Sequence, residues 1–171
     1  MSNQSKLLYG MELLSFPTIF EDNRGEYNEI FNSELLKDKD FFVKQVSIVR
    51  PIKNSLRGFH GDIGTSKVVS VLSGIFFIAI VDPRKNSPTY GHSYSCKISS
   101  NDKIAIYIPP GLGNGFLSMS NDSEYLYLQN TLYGEFDQFT IRYSDPLFNI
   151  TWPKCDYIIS DRDINAGEIE E

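Results

Sequence analysis

The stretch of this chain best equipped for chemistry is Leu56-Arg57-Gly58-Phe59-His60-Gly61-Asp62, followed by Lys67. An imidazole is suited to general-base work near neutral pH. Arg57 and Lys67 flank His60 along the chain and can supply positive charge to the same cavity. On an ideal strand Arg57 and His60 would point to opposite faces, so Gly58 is expected to mark a bulge or bend. Taken alone, the cluster is a weak signal, because a lone histidine is more often structural than catalytic. The second histidine, His92, follows Gly91 at an expected strand start and reads as structural or solvent-exposed. Two histidines without a His-x-His pair cannot build a three-histidine metal site. Cys96 and Cys155 show no metal-ligand spacing and read as idle thiols of a reducing cytoplasm. A metal-free, cofactor-free site is therefore expected.

The elements that must position these residues read as short strands broken by turn residues. Strands are expected over Phe42–Val49, Lys67–Leu72, Ile75–Val81, Tyr94–Ile98, Lys103–Ile108, Phe116–Met119, Tyr125–Asn130 and Phe139–Tyr143. Ser73-Gly74 reads as a hairpin turn between the second and third of these. The prolines and polar residues of Asp82 to Tyr90 mark a loop, and Ser33 to Lys39 can form one short helix capped by Ser33. Such regular spacing predicts an all-β chain, an eight-stranded double-sheet jelly roll with a few short helices, rather than βαβ units. The wide mouth of such a barrel is a natural small-molecule site.

The 171 residues fit one domain spanning the chain, and 41% hydrophobic residues are enough for a core. A formal net charge of −6 argues against a nucleic-acid or anionic-membrane partner. A few local cations still suffice to hold a diphosphate. No basic, long apolar leader is seen, and the longest apolar run, Ile75 to Val81, is too short to span a bilayer. A cytoplasmic location is expected.

Ordered motifs from Phe20 to Asp163 resemble the dTDP-4-dehydrorhamnose 3,5-epimerase family. Phe20, Asp22, Arg24-Gly25 and Glu29 are similar to its F-x-D-x-R-G-x-x-x-E stretch. Leu56 to His60 resembles L-R-G-L-H, Lys67-Val68-Val69 resembles K-L-V, and Val81 to Gly91 resembles V-D-x-R-x-x-S-P-T-F-G. Tyr127 and Tyr133, Asp145-Pro146, Ile150-Thr151-Trp152-Pro153 and Ser160-Asp161-Arg162-Asp163 continue in the family's order. The resemblance implies a cupin-type epimerase acting beside the ketone of a nucleotide-diphospho-4-keto-sugar. It implies that His60 removes a proton, that Asp163 pairs with His60 and fixes its tautomer, and that Tyr133 reprotonates from the opposite face. Lys67 would face the developing enolate oxygen. Arg57 and Arg24 would hold substrate or diphosphate. It also implies a homodimer in which an N-terminal arm, about 1–40, carries Arg24 and Glu29 into the partner's site. The last residues, 165–171, read from their acidic composition as a flexible tail. Each role has a plainer rival: Tyr133 as packing, Asp163 as a surface carboxylate beside Arg162, Arg24 and Glu29 as a surface ion pair. Trp152-Pro153 reads as packing against the barrel.

Three departures from the family pattern bear on the substrate. His60-Gly61-Asp62 stands for H-Y-Q. Asn114 replaces a second histidine and can hydrogen-bond but cannot titrate near neutral pH. The loop after Tyr133 runs Gly134 to Thr140 without a Ser-Pro turn. Asp62 and Asn114 therefore join the expected substrate-binding set. The His60-Gly61-Asp62 and Asp137-Gln138-Phe139-Thr140 forms are similar to a branch acting on GDP-linked 4-keto-heptoses in capsule biosynthesis, at C3 alone or at C3 and C5. GDP is thus expected over dTDP, with dTDP-4-keto-6-deoxyglucose as the alternative. A 3,4-ketoisomerase and a non-catalytic sugar-binding cupin are the further rivals.

Overall fold

The structure, a computed structural model, describes residues 7–169. Twelve strands are present among them: β1 (Glu12–Ser15), β2 (Thr18–Asp22), β3 (Gly25–Glu29), β4 (Gln45–Val49), β5 (Leu56–Asp62), β6 (Lys67–Ser73), β7 (Ile75–Val81), β8 (Ser93–Ser99), β9 (Ile104–Ile108), β10 (Gly113–Ser118), β11 (Glu124–Gln129) and β12 (Gln138–Thr140). Ten of these form two five-stranded antiparallel sheets, ordered β1-β9-β6-β11-β4 and β12-β5-β10-β7-β8, and β2 and β3 form a separate hairpin. Seven of the eight expected strands are β4 and β6 to β11; the eighth, expected over Phe139–Tyr143, is the short β12, and β5 is a strand outside the expected set. Strands β1 and β12 each form one edge of a sheet. The helical pieces are short: 3-10 turns at Ser33–Lys39 and Ser100–Asp102, and α1 (Asp161–Ile164). No helix among the described residues is long and apolar enough to cross a membrane.

Three apolar layers explain why the central strands read as unbroken hydrophobic runs. Between the sheets lie Val69, Val71, Phe76, Ile78, Ile80, Ile106 and Phe116. Alternate residues of the same strands point outward and are covered as well. Val68, Leu126 and Leu128 are capped by Leu36 and Phe41. Ala79, Val81 and Leu117 are capped by Ile141, Phe148 and Trp152. Trp152 packs on the barrel as expected, its indole N–H donating to Tyr143 O at 2.8 Å.

Several local expectations are corrected. Ser73-Gly74 is no hairpin turn: β6 pairs with β9 and β11 in one sheet, while β7 pairs with β8 and β10 in the other. Gly74 is the corner where the chain changes sheets, with φ +81° and a Cβ position only 2.5 Å from Ser123 Oγ. The Ser33–Lys39 helix is a 3-10 turn capped by Asn32, whose side chain accepts from Glu34 N. Of the arm expected over about 1–40, residues 1–6 lie outside the described residues, while Leu8, Met11 and Leu36 pack into this chain's own layers. The β2–β3 hairpin is different, leaving Ile19, Phe20 and Tyr27 exposed, with Lys103 Nζ to Glu26 Oε1 at 2.7 Å as a tie to the barrel. The described part of the expected loose tail is docked: Gly167 bridges Ile141, and Ile169 N donates to Asp145 Oδ2 at 2.7 Å. Residues 170–171 of that tail lie outside the described residues.

Candidate active site

The bend anticipated at Gly58 is what brings two charged groups to one side of β5. Along β10, Asn114 faces His60 and Phe116 faces Arg57, so three steps on β5 oppose two on β10. That extra residue is a β-bulge, and it lets Arg57 and His60 share a face. Gly58 has φ +123°, and a Cβ there would lie 2.5 Å from Gly115 Cα, so no other residue fits the close approach of the two strands. Both side chains line a cavity of about 300 Å³ at one end of the barrel.

The opposite wall is graded from polar to apolar by strand register. At the mouth, Gln45 pairs with Gln129, which pairs with Lys67. One step deeper stand Ser47, Tyr127 and Val69, and deeper still Val49, Tyr125 and Val71. The floor is an aromatic cluster, with Phe116 and Tyr125 ring centroids 4.8 Å apart and Phe76 5.3 Å from Phe116. Lys67 reaches this cavity with no ion-pair partner among the described residues. Burial pushes its ammonium pKa below the usual lysine value, an effect that Asp62 partly offsets. An unpaired, partly desolvated cation is well placed to attract negative charge developing on a bound molecule.

Behind His60 lies Asp163, 2% exposed and carried by the single turn of α1. His60 Nε2 stands 3.0 Å from Asp163 Oδ1, which has no other partner, and Asp163 Oδ2 accepts from Gly58 N at 3.2 Å. Burial raises the Asp163 pKa, but contacts with His60, the Gly58 N–H and Arg162 outweigh it and hold the carboxyl below the usual range. The aspartate is therefore an anion, and with Oδ1 beside Nε2 it favours the tautomer that carries the proton on Nε2 and leaves the lone pair on Nδ1. Thr140 Oγ1 lies 3.4 Å from Nδ1 and itself accepts two hydrogen bonds from Arg162, at 3.1 and 2.8 Å. A buried Asp-His pair of this kind holds an imidazole as a proton acceptor.

Tyr133 lines the same cavity from the loop between β11 and β12, with its side chain largely exposed. Asn114, 4% exposed, accepts from Tyr127 OH at 3.2 Å through Oδ1, while its Nδ2 has no partner. Burial raises the Tyr127 pKa and Arg57 lowers it less, so the phenol stays a neutral donor. The Tyr125 OH likewise has no partner in good geometry, and Asn114 acts on it by partly offsetting the rise that burial gives its pKa.

Of the nine residues singled out in sequence, the fold thus brings His60, Tyr133, Lys67, Arg57 and Asn114 to the cavity wall and sets Asp163 directly behind His60. Three are elsewhere. Asp62 is 5% exposed and absent from the wall; its Oδ1 accepts from Gly64 N and Thr65 N at 3.0 and 2.6 Å, closing a turn. Arg24 and Glu29 sit on the hairpin, away from this chain's cavity, Arg24 gripping Asp22 at 2.6 Å and Glu29 bonded to Asn32. Gly61 and Phe139 are also a packing pair, not a wall change: a Cβ on Gly61 would strike the Phe139 ring and lie 2.5 Å from Leu112 O. Two departures in motif therefore meet in one packing contact outside the cavity. The reading missed Gln45, Ser47, Gln129 and Arg162 on the wall. A signal was present in β4, where Gln45 and Ser47 alternate with the exposed Val46 and Ile48, the inverse of an ordinary barrel strand. Among the described residues no group of three His, Cys, Asp or Glu side chains is placed to hold a metal ion.

Comparison with known proteins places this geometry among relatives. A dTDP-4-dehydrorhamnose 3,5-epimerase from Shigella flexneri is 34% identical over 161 residues, covering 90% of this chain and 88% of the relative. A 3'-monoepimerase from Streptomyces bikiniensis, solved in complex with dTDP-quinovose, superposes with a TM-score of 0.89 at 29% identity, covering 97% of this chain and 87% of that one. A dTDP-6-deoxy-D-glucose-3,5-epimerase from Legionella pneumophila, in complex with dTDP-4-keto-L-rhamnose, gives a TM-score of 0.85 at 29% identity over 93% of each chain. The family model for dTDP-4-dehydrorhamnose 3,5-epimerase matches residues 9–171. With the match running through the barrel, its cavity and the dyad alike, this chain is a member of the dTDP-4-dehydrorhamnose 3,5-epimerase family.

Proposed function

We propose that this protein is an isomerase that inverts C3 beside the C4 ketone of a nucleotide-diphospho sugar. The observation that carries the reading is that His60 and Tyr133 open onto one cavity whose wall holds the unpaired Lys67. A ketone acidifies the neighbouring C–H because the electron pair left behind spreads onto the carbonyl oxygen. In the proposed sequence His60 Nδ1 takes the C3 proton, the C–H pair becomes the enolate, and the Lys67 ammonium stabilises its oxygen. Tyr133 then gives its O–H proton to C3 from the other face. Water restores the phenol and takes the proton from His60, so the ring differs only in configuration. Asp163 stabilises the imidazolium while it exists.

C3 is the centre common to the relatives named 3,5-epimerases and those named 3-epimerases, and inversion at C5 is a separate outcome of the assay below. The relatives' names carry dTDP, which favours a dTDP-linked 4-keto-6-deoxyhexose over the GDP-linked heptose expected from the motifs. The motif argument loses force because Gly61, Asp62 and Phe139 lie off the wall, although Asn114 and Gln138 stand on it. A homodimer belongs to the same proposal. An isolated two-stranded ribbon is marginal in water, and the exposed Ile19, Phe20 and Tyr27 favour a second copy as its support, with Arg24 reaching that copy's cavity.

The test is proton NMR in D₂O with dTDP- and GDP-linked 4-keto sugars. Deuterium entering C3 with the ketone retained at C4 is expected. Movement of the carbonyl would identify a 3,4-ketoisomerase, and no exchange with any substrate would mark a binding protein. His60→Asn and Tyr133→Phe should each lower turnover by about 10²–10⁴-fold.

A further inference from the structure

The phenol assigned as the acid is attached to the protein with little to hold it. Tyr133 is 69% exposed, and it is followed by Gly134 at φ +83°, around which a Cβ would meet nothing within 4 Å. The hydrogen bond that ties this residue to the barrel is from Tyr133 N–H to Gln45 Oε1, at 2.7 Å. Gln45 is itself fixed, because its Nε2 donates to Ser47 Oγ at 3.1 Å and its backbone is in register with Gln129 of β11. A second hold comes from Glu135, whose Oε2 accepts from Leu132 N at 3.0 Å and whose Oε1 lies 3.6 Å from Lys44 Nζ. Both holds grip the backbone beside the phenol and leave the O–H free.

We infer that Gln45 is the positioning residue for Tyr133, and that by aiming the phenol it sets how often an enolate ends inverted rather than restored. The inference rests on the assignment of Tyr133 as acid. An enolate formed by His60 has two exits. The imidazolium can return a proton to the face it left, giving back the starting sugar, or Tyr133 can donate from the opposite face and invert the centre. In either exit the C3=C4 pair of the enolate becomes the new C3–H bond, the C4=O bond re-forms, and the N–H or O–H bond of the donor breaks. In D₂O the imidazolium exchanges its proton while the enolate persists, so a returned enolate appears as deuterium in sugar of unchanged configuration. A displaced phenol lengthens the enolate's life and raises this return.

The experiment compares initial rates of deuterium entry into unreacted substrate and into inverted product, by NMR, with melting temperatures recorded for every variant. Because the readout is a ratio, weakened substrate binding cancels from it. Gln45→Leu removes the acceptor and should raise the ratio of return to inversion between about 5- and 100-fold, the range that misplacement by an ångström or less produces. Gln45→Glu keeps an oxygen opposite the Tyr133 N–H and should bring the ratio back toward wild type. Glu135→Ala, outside the cavity wall, should move it in the same direction as Gln45→Leu but less. A wild-type ratio in Gln45→Leu, alongside a raised one in Tyr133→Phe, overturns the inference and leaves the acid assignment standing. An unchanged ratio in Tyr133→Phe sinks the acid assignment itself.

Discussion

Replacing Asp163 with Asn alters the dyad by one atom type, and the structure fixes what the amide must do. Gly58 N–H is a fixed donor 3.2 Å from Oδ2, and Oδ1 faces only His60 Nε2 at 3.0 Å. If the amide oxygen stays with Gly58, its NH₂ faces Nε2, which must then accept, and the ring proton moves to Nδ1. The proposed base has then lost its lone pair. If the amide turns over, the correct tautomer survives but two donors meet at Gly58, leaving a buried N–H unpaired. That misplacement costs about 1–3 kcal/mol, and the lost charge-assisted contact to the imidazolium about 1.5–3 kcal/mol. Together these come to about 2.5–6 kcal/mol, or roughly a 10²–10⁴-fold loss of turnover at 1.36 kcal/mol per decade. The assay is steady-state epimerisation followed by NMR, with KM measured separately. Asp163 is not on the cavity wall, so KM should change little. Turnover within about threefold of wild type, smaller than the least of these losses, would refute the dyad as an electrostatic and tautomeric device. So would a loss confined to KM.

Other expectations follow from single groups. Because burial lowers the Lys67 pKa, its charge is lost at lower pH than for an ordinary lysine, and the rate should fall on the alkaline side through that region. Lys67→Arg should move this limb upward, and an unmoved limb would assign it to another group. Asn114→Leu removes an amide from the cavity wall and should raise KM about tenfold, as for one lost hydrogen bond; an unchanged KM would mean that no ligand acceptor meets it. Asp82 is fully buried, accepting from Arg84, Ser87 and Thr89. Burial raises its pKa, but these bonds win and hold it at about 2. Its contribution to stability is therefore present above the ordinary aspartate pKa and lost as the pH falls toward about 2. Asp82→Asn should lower stability at neutral pH by about 2 kcal/mol or more and flatten the acid limb of a denaturation series, and an unaltered limb would contradict the account.

The β-rich reading and the jelly roll were legible because strand length, turn residues and apolar runs are local properties, written in consecutive residues. The bend at Gly58 was legible for a related reason: residues three apart reach one face of a strand only through a bulge, and glycine is the residue that permits it. The chemical identity of His60 and Lys67 could likewise be named from residue type. What the chain alone could not give was partnership. Gly74 reads locally as a hairpin turn, yet whether the strands beside it pair together or part into two sheets depends on β9, β10 and β11, all distant in sequence. The pairing of Asp163 with His60 is implied by the family resemblance and by nothing local; it arises because the segment at Ile158 lies against Ser55 and delivers α1 to the back of β5. Asp62 was drawn into the site as a departure from the family's motif beside His60; the fold spends its carboxylate on a turn. Gly61 and Phe139 looked like two substrate signals and are one packing contact. Local rules follow from the covalent backbone and reach only a few residues, whereas a cavity wall is the meeting of side chains from separate strands, and long-range register alone decides which of them face each other.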